Sequence, residues 1–314
     1  MPELRVGVVG ATGAVGRVTL ALLAEREFDD VRAFASAKSA GRSVPYGDRQ
    51  VEIEEATPDA LAAGGLDLCF FSVGTGPSQA LVPPAVASGA VCIDKSDAYR
   101  LAEGVPLVVA GVNDDVLNGN EIVANPNCSA IQLACVLKPL YDAAGLARVR
   151  LATYQSMSGA GDAGIQRLRE TAPLEGDLAM DWGLEGMEFT EESKLRAETR
   201  KILGLPGLPI QATCIRVPVL VGHGQALWVE TEQRLSPEEA TEVLEAAPHV
   251  RLAEFPTARE AAGQDEVLVA RIRPDTADGQ GLALWSVNDN LRKGAALNAV
   301  QIAEALLERR LLPA

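Results

Sequence analysis

The sequence predicts an α/β protein in which a parallel-sheet domain precedes an α+β domain. Three observations carry that prediction. Leu4–Gly10 (LRVGVVG) is a short apolar run that meets a glycine turn and then VTLALLAEREF, whose apolar spacing suits a helix. Strand signals recur at Val31–Ala35 and Leu66–Val73, and the second of these (LDLCFFSV) is apolar without alternation, as in a strand covered on both faces. Strand, turn and helix alternate in this half, which implies right-handed crossovers, and the character of the chain changes near Asn125.

The remaining elements follow in order. Pro83–Ser88 leads into a short strand at Ala90–Ile93, and Leu107–Ala110 is expected to add another. A helix is predicted from about Ser129 to Tyr141, then a strand over Val149–Tyr154 and a glycine-rich stretch over Gly159–Gly164. Thr171–Thr199 is acidic and poor in strand signals. Ile210–Val221 and Ala226–Thr231 read as strands flanking a turn at Gly222–Gln225. Ser236–Ala247 opens with a cap at Ser236, Pro237 at the first helical position and Glu239 completing a capping box. Val267–Ile272 and Leu282–Val287 alternate as sheet edges or half-buried strands do. The last segment carries a helical stripe through Leu297, Val300, Ile302 and Leu306; too isolated for a core of its own, it is expected to return to the first domain.

Composition bounds the function. A chain of 314 residues with 47% hydrophobic content is long enough for two domains, since single cores stop growing near ~250–300 residues. With 28 basic against 43 acidic residues the net charge is -15, which repels nucleic acid and anionic lipid but allows a small anion held by a few arginines. The N-terminus shows no signal-peptide pattern and no apolar run reaches the ~20 residues that span a bilayer, so a cytoplasmic location is expected. Five scattered cysteines then read as reduced thiols. With two histidines and neither CxxC nor HExxH, no metal site is expected.

Four places can carry chemistry. In GATGAVG, Gly10, Gly13 and Gly16 let backbone approach a pyrophosphate at the start of a helix. After the second strand, SAKSAGR offers Ser36, Lys38, Ser39 and Arg42 where an acidic ribose ligand would otherwise stand, which favours NADP over NAD. In NPNCS (Asn125–Ser129), Cys128 lies at a helix start, where N–H groups stabilise a thiolate and an oxyanion; Cys135, flanked by apolar residues, reads as core. In RVPVLVGHG, Arg216 precedes a glycine-flanked His223 that looks exposed and suits proton transfer. Arg100, Lys194, Lys201 and Arg216 are candidate anion holders, and Trp182, Trp228 and Trp285 are assigned to core or interface packing.

Taken together, these motifs resemble the aspartate-β-semialdehyde dehydrogenase family, especially its bacterial form. The resemblance also includes IDKSDAYR at Ile93–Arg100, TYQSMSGAG at Thr153–Gly161, EESKLRAETRKIL at Glu191–Leu203 and DNLRKGAALNAVQIAE at Asp289–Glu304. It implies an N-terminal Rossmann-like NADP-binding domain (1–127, completed by the helix at 291–314). An α+β catalytic and dimerisation domain of the glyceraldehyde-phosphate-dehydrogenase-like type would occupy 128–290. It further implies NADPH-dependent reduction of L-4-aspartyl phosphate to L-aspartate 4-semialdehyde by a homodimer. In that reading Cys128 is the nucleophile, His223 the acid/base, and Gln155 orients the acyl group. Arg216 and Glu191 bind the substrate's carboxylate and amino groups, Arg100 and Lys194 bind phosphate, and Asn127 joins the substrate set. Thr12–Val15, Ser39, Ala40, Ser158, Gly159 and Asn290 take cofactor positions.

The sequence departs from the family pattern at Lys38, where many relatives have arginine, and at Lys95 and Asp97, where small or neutral residues are common. AMDWGLEGMEF replaces a usually apolar stretch before Glu191, so the segment near 174–190 bears on subunit packing. Two alternatives stand beside the main reading. N-acetyl-γ-glutamyl-phosphate reductase shares the cysteine chemistry, and a non-catalytic nucleotide-binding protein would keep the scaffold without turnover.

Overall fold

The computed structural model describes residues 4–171, 182–275 and 281–312. The chain divides into two units, one running up to Pro126 and resuming from Ala295, the other comprising Asn127–Gly294. The early part of the acidic segment, residues 174–181, lies outside the described residues.

In the first unit, strands β1 (Arg5–Val9), β2 (Asp30–Ala35), β3 (Ser43–Tyr46), β4 (Arg49–Glu55), β5 (Leu68–Phe71), β6 (Val91–Asp94) and β7 (Ile122–Ala124) form one sheet in the order β3-β4-β2-β1-β5-β6-β7. Every pairing is parallel except β3 with β4. Helices α1 (Ala14–Glu25), α2 (Pro58–Ala62) and α3 (Thr75–Ala87) make the crossovers. The unbroken apolar run of β5 is explained by its place between β1 and β6. Leu68 and Phe70 face one core layer, while Cys69 and Phe71 face the other. The first layer also takes Leu20, Leu22 and Leu23 of α1 and the stripe Leu297, Val300, Ile302 and Leu306 of the terminal helix Leu297–Glu308.

Two features of this unit differ from expectation. Leu107–Ala110 is not a strand. Leu107 forms an isolated bridge with Ala124, and the chain then turns at Val109–Asn113, where Asn113 Oδ1 accepts from the Val109 N–H at 2.9 Å. The β3–β4 hairpin was not expected, because its strands are polar and partly exposed and so lack an apolar period.

The second unit holds a six-stranded sheet built from β8 (Arg148–Gln155), β11 (Ile210–Arg216), β12 (His223–Glu230), β13 (Val250–Leu252), β14 (Val267–Pro274) and β15 (Gly281–Asn288). Its order is β11-β8-β12-β15-β14-β13; a separate two-residue hairpin pairs β9 (Leu184–Glu185) with β10 (Glu188–Phe189). Helices α4 (Cys128–Ala144), α5 (Gly161–Thr171), α6 (Thr190–Leu203), α7 (Pro237–Glu245) and α8 (Ala258–Ala261) complete the unit. Ser236 caps α7 through the Glu239 N–H, and Glu239 returns the bond, as the capping-box pattern predicts.

Three expectations are corrected here. The strand from Ile210 ends at Arg216, because Val217–Val221 turns away to hydrogen-bond Gln155, Met157 and Ser158. His223 begins β12 instead of occupying a turn. Val267–Ala270 and Leu282–Leu284 are fully buried rather than half-buried, since β15 lies inside the sheet between β12 and β14.

Candidate active site

One end of the second sheet collects the residues of interest. Gln155 ends β8 and is the register partner of Arg216, which ends β11. His223 starts β12 and pairs with Asn288, which ends β15. Four strands running in different directions therefore bring these residues to the same edge. Cys128 comes from α4, where Asn127 Oδ1 accepts from the Ser129 N–H at 2.8 Å. The thiol is half-buried at the first helical position, where N–H groups lack intrahelical partners. Gly294 makes room for it, since a Cβ there would sit 3.1 Å from Cys128 Cβ and 3.4 Å from Asn288 Nδ2.

His223 is fully buried, correcting the exposed position expected from its flanking glycines. The Ser156 N–H donates to His223 Nδ1 at 3.0 Å, so the neutral ring carries its proton on Nε2. Among the described residues that Nε2 has no hydrogen-bond partner, and both side-chain polar atoms of Asn288 are likewise unsatisfied, so unused polar groups gather at this edge. Burial, reinforced by the nearby Arg216 charge, pushes the imidazole down to about 3. Gly159 is required by closeness: a Cβ there would lie 3.1 Å from His223 Nε2 and from Arg216 Nη1.

The turn after β8 ties the set together. Arg216 Nη1 donates to the Ser156 carbonyl at 3.0 Å, and Ser156 Oγ donates to Asn290 Oδ1 at 2.9 Å. Asn290 Oδ1 also accepts from the Gly222 N–H at 2.8 Å, and its Nδ2 donates to Ser158 Oγ at 2.9 Å. Ser158 and Asn290 thus belong to one buried network.

Helix α6 grips the start of α4 from the side. Glu191 Oε1 accepts from Asn127 Nδ2 at 3.1 Å and from Gln155 Nε2 at 3.0 Å, and Gln155 Nε2 also donates to Ser129 Oγ at 2.7 Å. Glu198 Oε2, buried, accepts from the Asn127 N–H at 2.6 Å. Lys194 lies half-buried one turn beyond Glu191. Burial pushes the Lys201 ammonium down, against the opposing pull of Glu198. The sequence reading missed Glu198, whose only signal is an acid spaced seven residues after Glu191. Trp182, assigned to packing, is half-buried and has the Arg216 guanidinium over its ring at 4.7 Å. The other cysteines are buried; burial pushes Cys214 up to about 12 and raises Cys135.

The remaining candidates lie in the first unit. Gly10 has φ +85°; a Cβ on it would run into the Ser72 carbonyl, and one on Gly16 would strike the Gly10 carbonyl. Gly13 caps α1 with no side-chain bond, leaving the N–H groups of Ala14, Val15 and Gly16 without intrahelical partners, and Arg17 Nη1 donates to the Thr12 carbonyl. This cradle fits a pyrophosphate. Ser36 and Lys38 are exposed in the turn after β2, with Ser39 and Ala40 half-buried beside them and the Ser39 N–H donating to the Ser36 carbonyl at 2.8 Å. Arg100 is buried: Nη1 pairs with Asp97 at 2.7 Å, Nη2 donates to the Lys95 carbonyl at 2.7 Å and Nε to the Asn125 carbonyl at 3.1 Å. Lys95 Nζ donates to Thr19 Oγ1 and Ser72 Oγ at 3.0 and 2.8 Å, and burial pushes it down to about 7.

A parallel sheet with a glycine turn before its first helix is the nucleotide-binding domain of a nicotinamide-dependent dehydrogenase, and the second unit carries a cysteine at a helix start and a buried imidazole. Family models agree: a semialdehyde dehydrogenase NAD binding domain matches residues 5–119, and a semialdehyde dehydrogenase dimerisation domain matches 137–293. The chain is 41% identical to the aspartate-semialdehyde dehydrogenase of Corynebacterium melassecola, covering 96% of this chain and 99% of that one. It is also 41% identical to the Aquifex aeolicus enzyme of that name, over 98% and 99% of the two chains. Its structure is similar to aspartate semialdehyde dehydrogenase II of Vibrio cholerae complexed with ASA (TM-score 0.92, 37% identity, 98% and 99% covered). The chain belongs to the aspartate-semialdehyde dehydrogenase family. No helix among the described residues is long and apolar enough to cross a membrane.

Proposed function

We propose that this chain is an NADP-dependent aspartate-semialdehyde dehydrogenase of amino-acid biosynthesis. It would convert L-4-aspartyl phosphate to L-aspartate 4-semialdehyde and phosphate and act in the cytoplasm as a homodimer. The observation that carries the reading is Cys128, half-buried at the capped start of α4, in a chain 41% identical over nearly its whole length to relatives of that name.

The chemistry follows from the residues. The Cys128 thiolate attacks the acyl carbon; the C–S bond forms, the bond to the phosphate oxygen breaks, and Arg100 with Lys194 neutralises the departing phosphate. The resulting thioester is more electrophilic than a carboxylate. The Gly10–Gly16 turn would hold the pyrophosphate of NADPH, Ser36, Lys38, Ser39 and Ala40 its 2′-phosphate, and Ser158, Gly159 and Asn290 would also contact the cofactor, which would supply the hydride. The Nε2–H of His223 and the first N–H groups of α4 stabilise the oxygen that becomes anionic. Nε2–H is the donor the ring offers to that oxygen, because Nδ1 accepts from the Ser156 N–H. Collapse of the resulting tetrahedral alkoxide re-forms the C=O bond, breaks the C–S bond and so releases the aldehyde and restores the thiolate. Arg216 offers a fork to the α-carboxylate, Glu191 a charge to the α-ammonium, and Gln155 and Asn127 orient the acyl group.

The test is oxidation of L-aspartate 4-semialdehyde with phosphate, run with NADP and NAD in parallel and beside N-acetyl-L-glutamate 5-semialdehyde. Phosphate-dependent turnover of the aspartate aldehyde, with kcat/KM for NADP at least about tenfold above NAD, is expected. Turnover of only the acetylated aldehyde would overturn the substrate assignment, and equal use of the two nucleotides would overturn the cofactor assignment.

A further inference from the structure

Arg216 sits at the end of β11, 5% exposed, with Nη1 donating to the Ser156 carbonyl at 3.0 Å. Its guanidinium lies 4.7 Å from the centroid of the Trp182 ring. The indole is itself anchored. It meets Phe189 at 6.3 Å in a tilted contact, and the neighbouring Gly183 carbonyl accepts from the Thr190 N–H at 2.8 Å, where α6 begins. Phe189 in turn donates its N–H to Glu192 at 2.9 Å. Trp182 is therefore tied to the helix that carries Glu191, Lys194 and Glu198, not left on a loose loop.

A fork that binds a carboxylate through two parallel bonds depends on the orientation of the guanidinium plane, and an arginine side chain has four soft torsions with which to lose it. Stacking on an indole restrains that plane and keeps the charge, because the ring face attracts a cation without accepting its in-plane N–H bonds. We infer that Trp182 is the residue that positions Arg216 for the substrate carboxylate. This inference rests on the assignment of Arg216 to that carboxylate.

The experiment compares Trp182→Ala, Trp182→Phe and Arg216→Lys in steady-state oxidation of L-aspartate 4-semialdehyde, with thermal unfolding of each variant. Trp182→Ala raises KM for the aldehyde about tenfold while kcat stays within about threefold and KM for NADP is unchanged. Trp182→Phe restores KM to within about threefold, since a ring face is retained. An unchanged aldehyde KM in Trp182→Ala, alongside a raised one in Arg216→Lys, overturns the role of Trp182 alone. An unchanged KM in Arg216→Lys removes the carboxylate assignment and the inference with it. Loss of kcat, NADP affinity and thermal stability together in Trp182→Ala would identify a packing residue and overturn the inference too.

Discussion

At the start of β12 the His223 ring is closed off from solvent, with Nδ1 taken by the Ser156 N–H and Nε2 hydrogen-bonded to no other group among the described residues. Its pKa of about 3, against about 6.5 for an open histidine, has a consequence for stability. Between these two values the unfolded chain binds a proton that the folded protein refuses. The folded state keeps its full advantage above pH ~6.5 and loses it as pH falls toward ~3, by at most about 1.4 kcal/mol per pH unit. Urea unfolding of the ligand-free protein from pH 7 down to 4 should therefore fall more steeply for wild type than for His223→Asn, which has no titrating ring. Parallel curves would show that His223 is not held neutral by its surroundings. Sequence could supply the residue and its glycine neighbours but not its burial. Two flanking glycines look like a loop until β8 and β15 close on either side of the strand.

The start of α4 shows how one element is fixed by another. Asn127 caps its own helix through Ser129, yet it also donates to Glu191 and Glu198, both on α6. The helix start was legible to within a residue, because NPNCS precedes an apolar run; the Asn127 cap was not read from it. The grip from α6 was not, since residues 64 and 71 positions away leave no local pattern. Asn127→Ala should cost about 1–2 kcal/mol of stability, as loss of a cap does. It should also change the rate at which iodoacetamide alkylates Cys128 at fixed pH, because Asn127 Oδ1 both caps the helix and faces the Cys128 thiol at 3.9 Å. Unchanged stability together with an unchanged alkylation rate would mean that the cap does not set the thiol's environment.

Across the whole molecule, the architecture was readable wherever burial imposes a period. The all-apolar β5, the glycine turn before α1 and the apolar stripe of the terminal helix each state their surroundings in the sequence. The polar β3–β4 hairpin and the Trp182–Arg216 contact were not readable, the first because partly exposed strands need no period, the second because a stacking pair 34 residues apart needs no spacing rule. The candidate site residues were legible as types in motifs; the arrangement of those in the second sheet came from four strand ends meeting at one end of it. What the account stands on is acyl transfer through Cys128. The direct measurement is to mix the protein with L-aspartate 4-semialdehyde and NADP without phosphate, quench in acid and map the modified peptide by mass. The account predicts an aspartyl thioester on Cys128 that disappears when phosphate is added before the quench. Turnover with Cys128 unmodified, or undiminished in Cys128→Ala, would contradict it.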